Sequence, residues 1–150
     1  SENNQYGEFT AWDRVTAGGQ ITNRAKAVGM PASTVDGMDV EAIYTTTEEA
    51  VARARTGKGP TLIEAITYRY TGHHSGDPGK GYRTEDEDKH WKQLDPIRRM
   101  QARLVQGGIS GVGELAAIDA QVRRLIEGAV EFAKSSPLPG VEEVNEYVYA

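Results

Sequence analysis

The sequence predicts an α/β protein in which strands of a parallel sheet alternate with helices, followed by a helical C-terminal region. Three observations predict it. Two β-prone runs, Ala32 to Val35 and Thr61 to Tyr68, flank a single helical segment, and a crossover of that length joins parallel neighbours. The second run alternates only partly, as a strand covered on both faces does. Beyond residue 84 the β-prone runs stop and charged, helix-forming sequence takes over.

The elements follow in order. The opening SENNQYGEFT is polar, and by residue type alone Asn3-Asn4 is expected to form a turn, although asparagine oxygens also suit a ligand role. ITNRAKAV, from Ile21 to Val28, has a short helical pattern stopped by Gly29 and Pro31. The strand Ala32 to Val35 ends at Asp36-Gly37, expected as a turn. Asp39 is expected to cap a helix whose Val40, Ile43, Tyr44, Thr47, Val51 and Ala54 share one face, and Gly57 ends that helix. GPTLIEAITYRY supplies the second strand, with Tyr68, Arg69 and Tyr70 at its carboxyl end, the edge where parallel sheets bind ligands. Residues 71–84, TGHHSGDPGKGYRT, form a glycine-rich loop expected to be mobile. Helices follow over EDEDKHWKQ, over DPIRRMQARLV with Asp95 and Pro96 at its start, and from Glu114 to Ala133. In the last of these Leu115, Ile118, Val122, Leu125, Ala129 and Phe132 share a face that should pack. In the tail Val148 and Tyr149 are expected to tuck under a neighbour. The expected division is 1–84, a partial α/β domain, and 85–150, a helical region of the same domain.

Composition bounds the function. The chain has 150 residues, 38% hydrophobic, no cysteine and a net charge of −5. That balance supports one domain-sized core without disulfides and lacks the basic footprint of nucleic-acid binding. With no long apolar run, neither membrane insertion nor secretion is expected, and the setting expected is cytoplasmic. Two central strands are too few for a covered parallel sheet, so further strands are expected from elsewhere.

In the 71–84 loop, His73 and His74 are adjacent and make a poor chelate without a third ligand. A surface histidine is the ordinary role; the sharper one is a histidine acting on an anion or a proton, and the flanking glycines favour it. Asp77 and Arg83 are expected to pair and hold the loop shut, as a weak surface ion pair or as a device that orders it. A metal hydrolase built on His73, His74 and Asp77 is a rival reading.

ENNQYG, GMPASTVDGMDV, GPTLIEAITYRYTGHHSGDPGKGYRT and DPI together, in this order and spacing, resemble the α subunits of thiamine diphosphate-dependent 2-oxo acid dehydrogenase E1 components. The resemblance runs from residue 2 to the end, with YGEFT and SGDPGKGYR closest to bacterial pyruvate dehydrogenase-like and acetoin dehydrogenase-like members. It implies the C-terminal portion of a thiamine diphosphate-binding fold, with thiamine diphosphate and Mg²⁺ as cofactors. By position, Asn4 would ligate Mg²⁺ through its side-chain oxygen and Tyr6 through its carbonyl, both hard donors as this ion requires. His73 would be the catalytic-loop histidine facing the cofactor diphosphate, with Asp77, Tyr82 and Arg83 ordering the loop. Where regulated relatives carry a phosphorylatable serine after that histidine this chain has His74, and their second serine position is Gly81.

The resemblance also implies partners. The magnesium motif's first half, a Gly-Asp-Gly stretch, occurs nowhere in these residues, and no methionine precedes Ser1. The chain is therefore expected to be a split subunit or a part of one, needing an upstream α-half that carries Gly-Asp-Gly, an E1 β-type subunit and a lipoyl-bearing acyltransferase. The implied reaction decarboxylates a 2-oxo acid or cleaves acetoin and passes the acyl group to the lipoyl carrier. The alternative is a noncatalytic assembly or regulatory module of the same fold.

Overall fold

The computed structural model describes residues 1–146 and 149. They fall into two compact units, Ser1–Arg103 and Leu104–Ala150. The first is built on a parallel sheet of three strands, β1 (Glu2–Asn3), β4 (Ala32–Asp36) and β5 (Leu62–Ile66), in the order β1-β5-β4. Ala32 lies opposite Leu62 and Asp36 opposite Ile66, while on the other edge Glu2 lies opposite Ala65 and Asn3 opposite Ile66. The parallel α/β class is thus as expected, with one strand more than the sequence shows. Two residues are too few to display a strand period, so β1 is recognisable only by its partner.

Between β1 and β4 the chain forms a small antiparallel hairpin, β2 (Tyr6–Gly7) with β3 (Thr10–Ala11), then α1 (Trp12–Val15) and α2 (Thr22–Ala27). Helix α2 matches the expected segment to within a residue and buries Thr22 and Ala25. The crossover helix α3 (Val40–Arg55) is capped by Asp39, whose carboxylate accepts from Glu41 N and Ala42 N at 3.1 and 3.2 Å. Asp36 shapes the turn before it, accepting from Met38 N at 2.9 Å. At this turn Gly37 crosses so close to the sheet that an added Cβ would lie 2.4 Å from Thr67 Cγ2 and 2.8 Å from Ile66 O.

The apolar stripe of α3 is present but does not cover the sheet. Val40, Tyr44 and Val51 are exposed, and with Ile43 they line an open groove. Thr46, Ala50 and Arg53 instead face a hollow against Ala32, Ser33 and Thr61. The core is correspondingly thin. Ala25, Met38 and Tyr68 are the buried apolar residues among those described, and Asn3, Thr22, Glu64 and Asp77 are buried beside them.

Strand β5 ends at Ile66, earlier than the β-prone composition suggests, although Thr67 N–H still donates to Asn3 O at 2.9 Å. Tyr68, Arg69 and Tyr70 therefore lie just beyond the strand. Helices α4 (Glu85–Gln93) and α5 (Pro96–Gln106) start as expected: Thr84 Oγ1 accepts from Glu87 N, and Asp95 Oδ1 accepts from Ile97 N and Arg98 N. From α5, Arg99 reaches Asp36 and Asp39 at 2.9 Å each, and Arg103 reaches Asp39 and Glu41 at 2.5 Å, tying α5 to the start of α3.

The second unit holds α6 (Val112–Ser135) and a short 3-10 turn, Val141–Asn145. The stripe of α6 forms as the periodicity predicts, but Ile118, Val122, Leu125 and Phe132 on it are exposed. The expectation that Tyr149 is tucked away is corrected: its side chain is 93% exposed, and Val148 lies outside the described residues. No helix among the described residues is long and apolar enough to cross a membrane.

Candidate functional site

Two loops leave the carboxyl end of the sheet, residues 4–9 after β1 and residues 67–84 after β5. The first is held from its side chains. Asn3 Oδ1 accepts from Gln5 N at 3.2 Å, Gln5 Nε2 returns a bond to Asn3 O at 3.1 Å, and Gln5 itself sits at φ +74°, a region non-glycine residues seldom occupy. Asn4 Oδ1 accepts from Tyr6 N at 3.1 Å. Because Trp12 N donates to Gln5 O at 2.9 Å, the pair Tyr6–Ala11 is a non-hydrogen-bonded pair of the hairpin. In such a pair both the N–H and the C=O of Tyr6 point away from β3. The Asn4 side-chain oxygen thus sits on the same outer edge as the Tyr6 carbonyl, which the hairpin does not use. Both are neutral, hard oxygens of the kind Mg²⁺ takes as ligands, and each keeps a free lone pair.

The side chain of Tyr6 points to α4. Its hydroxyl donates to both oxygens of Glu87 at 2.9 and 2.8 Å. Burial first, and then that carboxylate, hold the phenol well above its ordinary pKa. Its ring stands edge-on to Tyr68 and Tyr82 at centroid distances of 6.4 and 5.4 Å, and Tyr68 stacks flat on Trp91 at 5.4 Å. The Arg83 guanidinium lies 5.3 to 6.0 Å from the centroids of Tyr6, Tyr68 and Tyr82.

Asp77 organises the second loop. One carboxylate oxygen accepts from His73 N at 2.7 Å and Tyr82 OH at 2.8 Å, and the other accepts from Gly79 N at 2.7 Å. Burial opposes ionisation here, but the two backbone N–H donors, the Tyr82 hydroxyl and the nearby Arg69 outweigh it and hold the pKa at about 2. The expected Asp77–Arg83 ion pair is absent among the described residues. Arg83 binds backbone carbonyls instead, Gly79 O at 2.9 Å, Thr71 O at 3.0 Å and Arg69 O. The reason is geometric: Asp77 points inward to the loop's own N–H groups, whereas Arg83 threads under the loop toward the strand end. Gly72 is obligatory at this crossing, since an added Cβ would lie 2.0 Å from Asp77 O.

His73 is exposed, with Nδ1 3.4 Å from Arg69 Nη1. A guanidinium only donates, so this contact makes Nδ1 the acceptor and leaves Nε2 carrying the proton. Arg69 also donates to Glu8 O at 2.6 Å and to Tyr82 OH at 3.1 Å, which joins the two loops. His74 turns elsewhere: its Nδ1 accepts from Gly76 N at 3.1 Å and its Nε2 lies 3.9 Å from Glu8. Among the described residues no three histidine or acidic side chains gather as a metal cluster. His73, His74 and Asp77 are engaged separately, so the hydrolase reading has no support.

The family model for the dehydrogenase E1 component matches residues 1–142. The chain belongs to that family. It is 42% identical over 149 residues to the pyruvate dehydrogenase E1 component subunit alpha of Porphyra purpurea, covering 99% of this chain and 43% of the relative. To the subunit of the same name from Rhizobium meliloti it is 42% identical over 144 residues, covering 95% and 41%. To the somatic mitochondrial form of Homo sapiens it is 40% identical over 150 residues, covering 99% and 38%. The chain thus spans about two fifths of the length of the curated relatives it matches.

In this E1 chain, sequence reasoning missed Arg69 as the link between loops, Glu87 and Trp91 as supports of Tyr6 and Tyr68, and above all Glu64. A charge in the middle of LIEAI, a strand read as covered on both faces, was the available signal.

Proposed function

We propose that this chain supplies one wall of the cofactor site of an E1 α-type subunit that decarboxylates a pyruvate-like 2-oxo acid and transfers the acyl group to a lipoyl carrier. The observation that carries the reading is the shared outer edge of Asn4 Oδ1 and the Tyr6 carbonyl, beside a histidine loop anchored by Asp77. Asn4 and Tyr6 hold Mg²⁺, which gives an acidic chain its local positive charge for a diphosphate. Thiamine diphosphate, when bound, supplies the carbon nucleophile at which the 2-oxo acid loses CO₂.

The chain's own residues bind and orient. His73 presents the Nε2 proton as a donor toward the anion, Arg69 keeps that tautomer, and Asp77, Tyr82 and Arg83 hold the loop that carries it. Two neutral oxygens leave most of the metal shell to be filled, which supports an upstream α-half with a Gly-Asp-Gly stretch as the source of the acidic ligand. The thin three-stranded sheet and the exposed stripes of α3 and α6 support an E1 β-type subunit and further chain as the covering surfaces. A cytoplasmic setting belongs to the same proposal.

The test is reassembly with those partners, followed by calorimetry with thiamine diphosphate in the presence and absence of Mg²⁺. Mg²⁺-dependent binding and release of CO₂ from pyruvate are expected. No binding would leave the noncatalytic assembly module standing, and turnover of acetoin alone would move the substrate.

A further inference from the structure

Glu64 is fully buried at the centre of β5, and no lysine or arginine forms an ion pair with it among the described residues. Its Oε1 accepts from Asn3 Nδ2 at 2.9 Å, and its Oε2 accepts from Thr22 N at 3.3 Å and Thr34 Oγ1 at 3.4 Å. Burying a carboxylate without a cation is costly, so a strand position would ordinarily be filled by an apolar side chain or a neutral amide. Glutamine cannot take these partners. Both oxygens face N–H donors, Asn3 Nδ2 on one side and Thr22 N on the other, and only a carboxylate presents an acceptor at both ends.

The consequence reaches the first loop. With its NH₂ held by Glu64, the Asn3 amide must aim Oδ1 outward, where it accepts from Gln5 N. That bond supports Gln5 at its left-handed φ, and Gln5 separates the two residues whose oxygens share the outer edge, Asn4 and Tyr6. If the amide turned over, its NH₂ would meet Gln5 N–H and the turn would lose its brace.

We propose that Glu64 is a positioning residue for the magnesium loop, acting through the orientation of the Asn3 amide. The inference rests on the reading of Asn4 and Tyr6 as metal ligands. Its test uses the complete protein that carries this sequence, assembled with its partners, titrated with Mg²⁺ at fixed thiamine diphosphate. Glu64→Gln is expected to raise the apparent Mg²⁺ Kd about tenfold or more, the size typical of outer-shell partners of a metal site. Saturating Mg²⁺ should restore cofactor binding to full stoichiometry. The decisive variant is the polarity swap Asn3→Asp with Glu64→Gln: the new carboxylate accepts from the glutamine NH₂ on one side and from Gln5 N on the other, at unchanged net charge. This double variant is expected to recover most of the lost affinity, which a purely structural role would not require.

A Glu64→Gln protein that binds Mg²⁺ like the wild type overturns the proposal. So does a double variant that is as weak as the single one, or that does not fold. If Glu64→Gln alone fails to fold, the double variant decides. A wild-type assembly showing no Mg²⁺ dependence removes the Asn4 and Tyr6 reading as well, whereas the other negative results leave that reading intact.

Discussion

Replacing Asp77 with asparagine tests how the histidine loop is held. In the folded chain the carboxylate has three donors, His73 N–H, Gly79 N–H and Tyr82 O–H, divided between its two oxygens. Asparagine has one acceptor oxygen, so its NH₂ must face either Gly79 N–H or the pair His73 N–H and Tyr82 O–H. The carboxylate has an ordinary pKa of 3.8 and a folded value of about 2, so the closed loop favours the ionised form. Because the folded value is the lower one, the stabilisation is complete above pH 3.8 and is lost as pH falls through about 2. Asp77→Asn, which leaves part of this donor set without an acceptor at every pH, should therefore open the loop more often by about tenfold. Hydrogen exchange reads this directly, since His73 and Gly79 amides exchange through loop opening while Thr67 N–H, bonded to Asn3 O in the sheet, reports global unfolding. Protection at His73 and Gly79 should fall by that factor with Thr67 unchanged. Wild-type protection at those two amides, or a parallel loss at Thr67, would refute the reasoning. In the wild type, an NMR titration of the His73 and Gly79 amides should show a midpoint near pH 2.

Asn4→Ala in the assembled protein should weaken Mg²⁺ binding by about tenfold or more with little change in unfolding temperature, since its oxygen is a proposed ligand and its fold contact is a single bond to Tyr6 N. At Asp39, asparagine keeps the cap of α3 but loses the charge facing Arg99 and Arg103, whereas alanine loses both; alanine should be less stable than asparagine by about 1 kcal/mol in urea unfolding. Gly37→Ala forces a Cβ against Thr67 and Ile66 O and should cost about 1–3 kcal/mol by the same measurement.

The parallel sheet was legible because β4 and β5 are long enough to show composition and are joined by a capped, amphipathic crossover. β1 and the β2-β3 hairpin were not, because two-residue strands carry no period, and β1 is in addition defined by a partner some sixty residues away, Asn3 lying opposite Ile66. Among the site residues, His73, Asp77 and Arg83 stood out from the loop's composition, resemblance added Tyr6 and Tyr82 and gave Asn4 its metal role, and the structure brings them to one end of the sheet. What resemblance did not supply is who holds whom. The pairing of Asp77 with Arg83 failed because sequence proximity says nothing about which way a loop carboxylate turns. The stripes on α3 and α6 were read correctly as apolar faces, but periodicity cannot say what covers them, and among the described residues Tyr44 and Phe132 remain exposed.

The two loops form one mechanical unit, and Tyr6 is where they meet. Its backbone offers the carbonyl proposed for Mg²⁺, its ring touches Tyr82 of the histidine loop, and its hydroxyl is fixed to Glu87 on α4. Arg69 closes the circuit from the other side, donating to Glu8 O, to Tyr82 OH and toward His73 Nδ1. A displacement of the metal loop therefore cannot leave the histidine loop unchanged, because Tyr82 is held at once by Tyr6, Arg69 and Asp77. With Asn4 and Tyr6 as the proposed metal ligands, this arrangement predicts that metal occupancy and ordering of His73 depend on each other, and by linkage each would then favour the other to the same extent. Exchange protection at His73 should consequently rise on Mg²⁺ and thiamine diphosphate binding, and that rise should shrink in Asp77→Asn. If the protection is indifferent to the metal, the loops act separately and Tyr6 is only a packing residue.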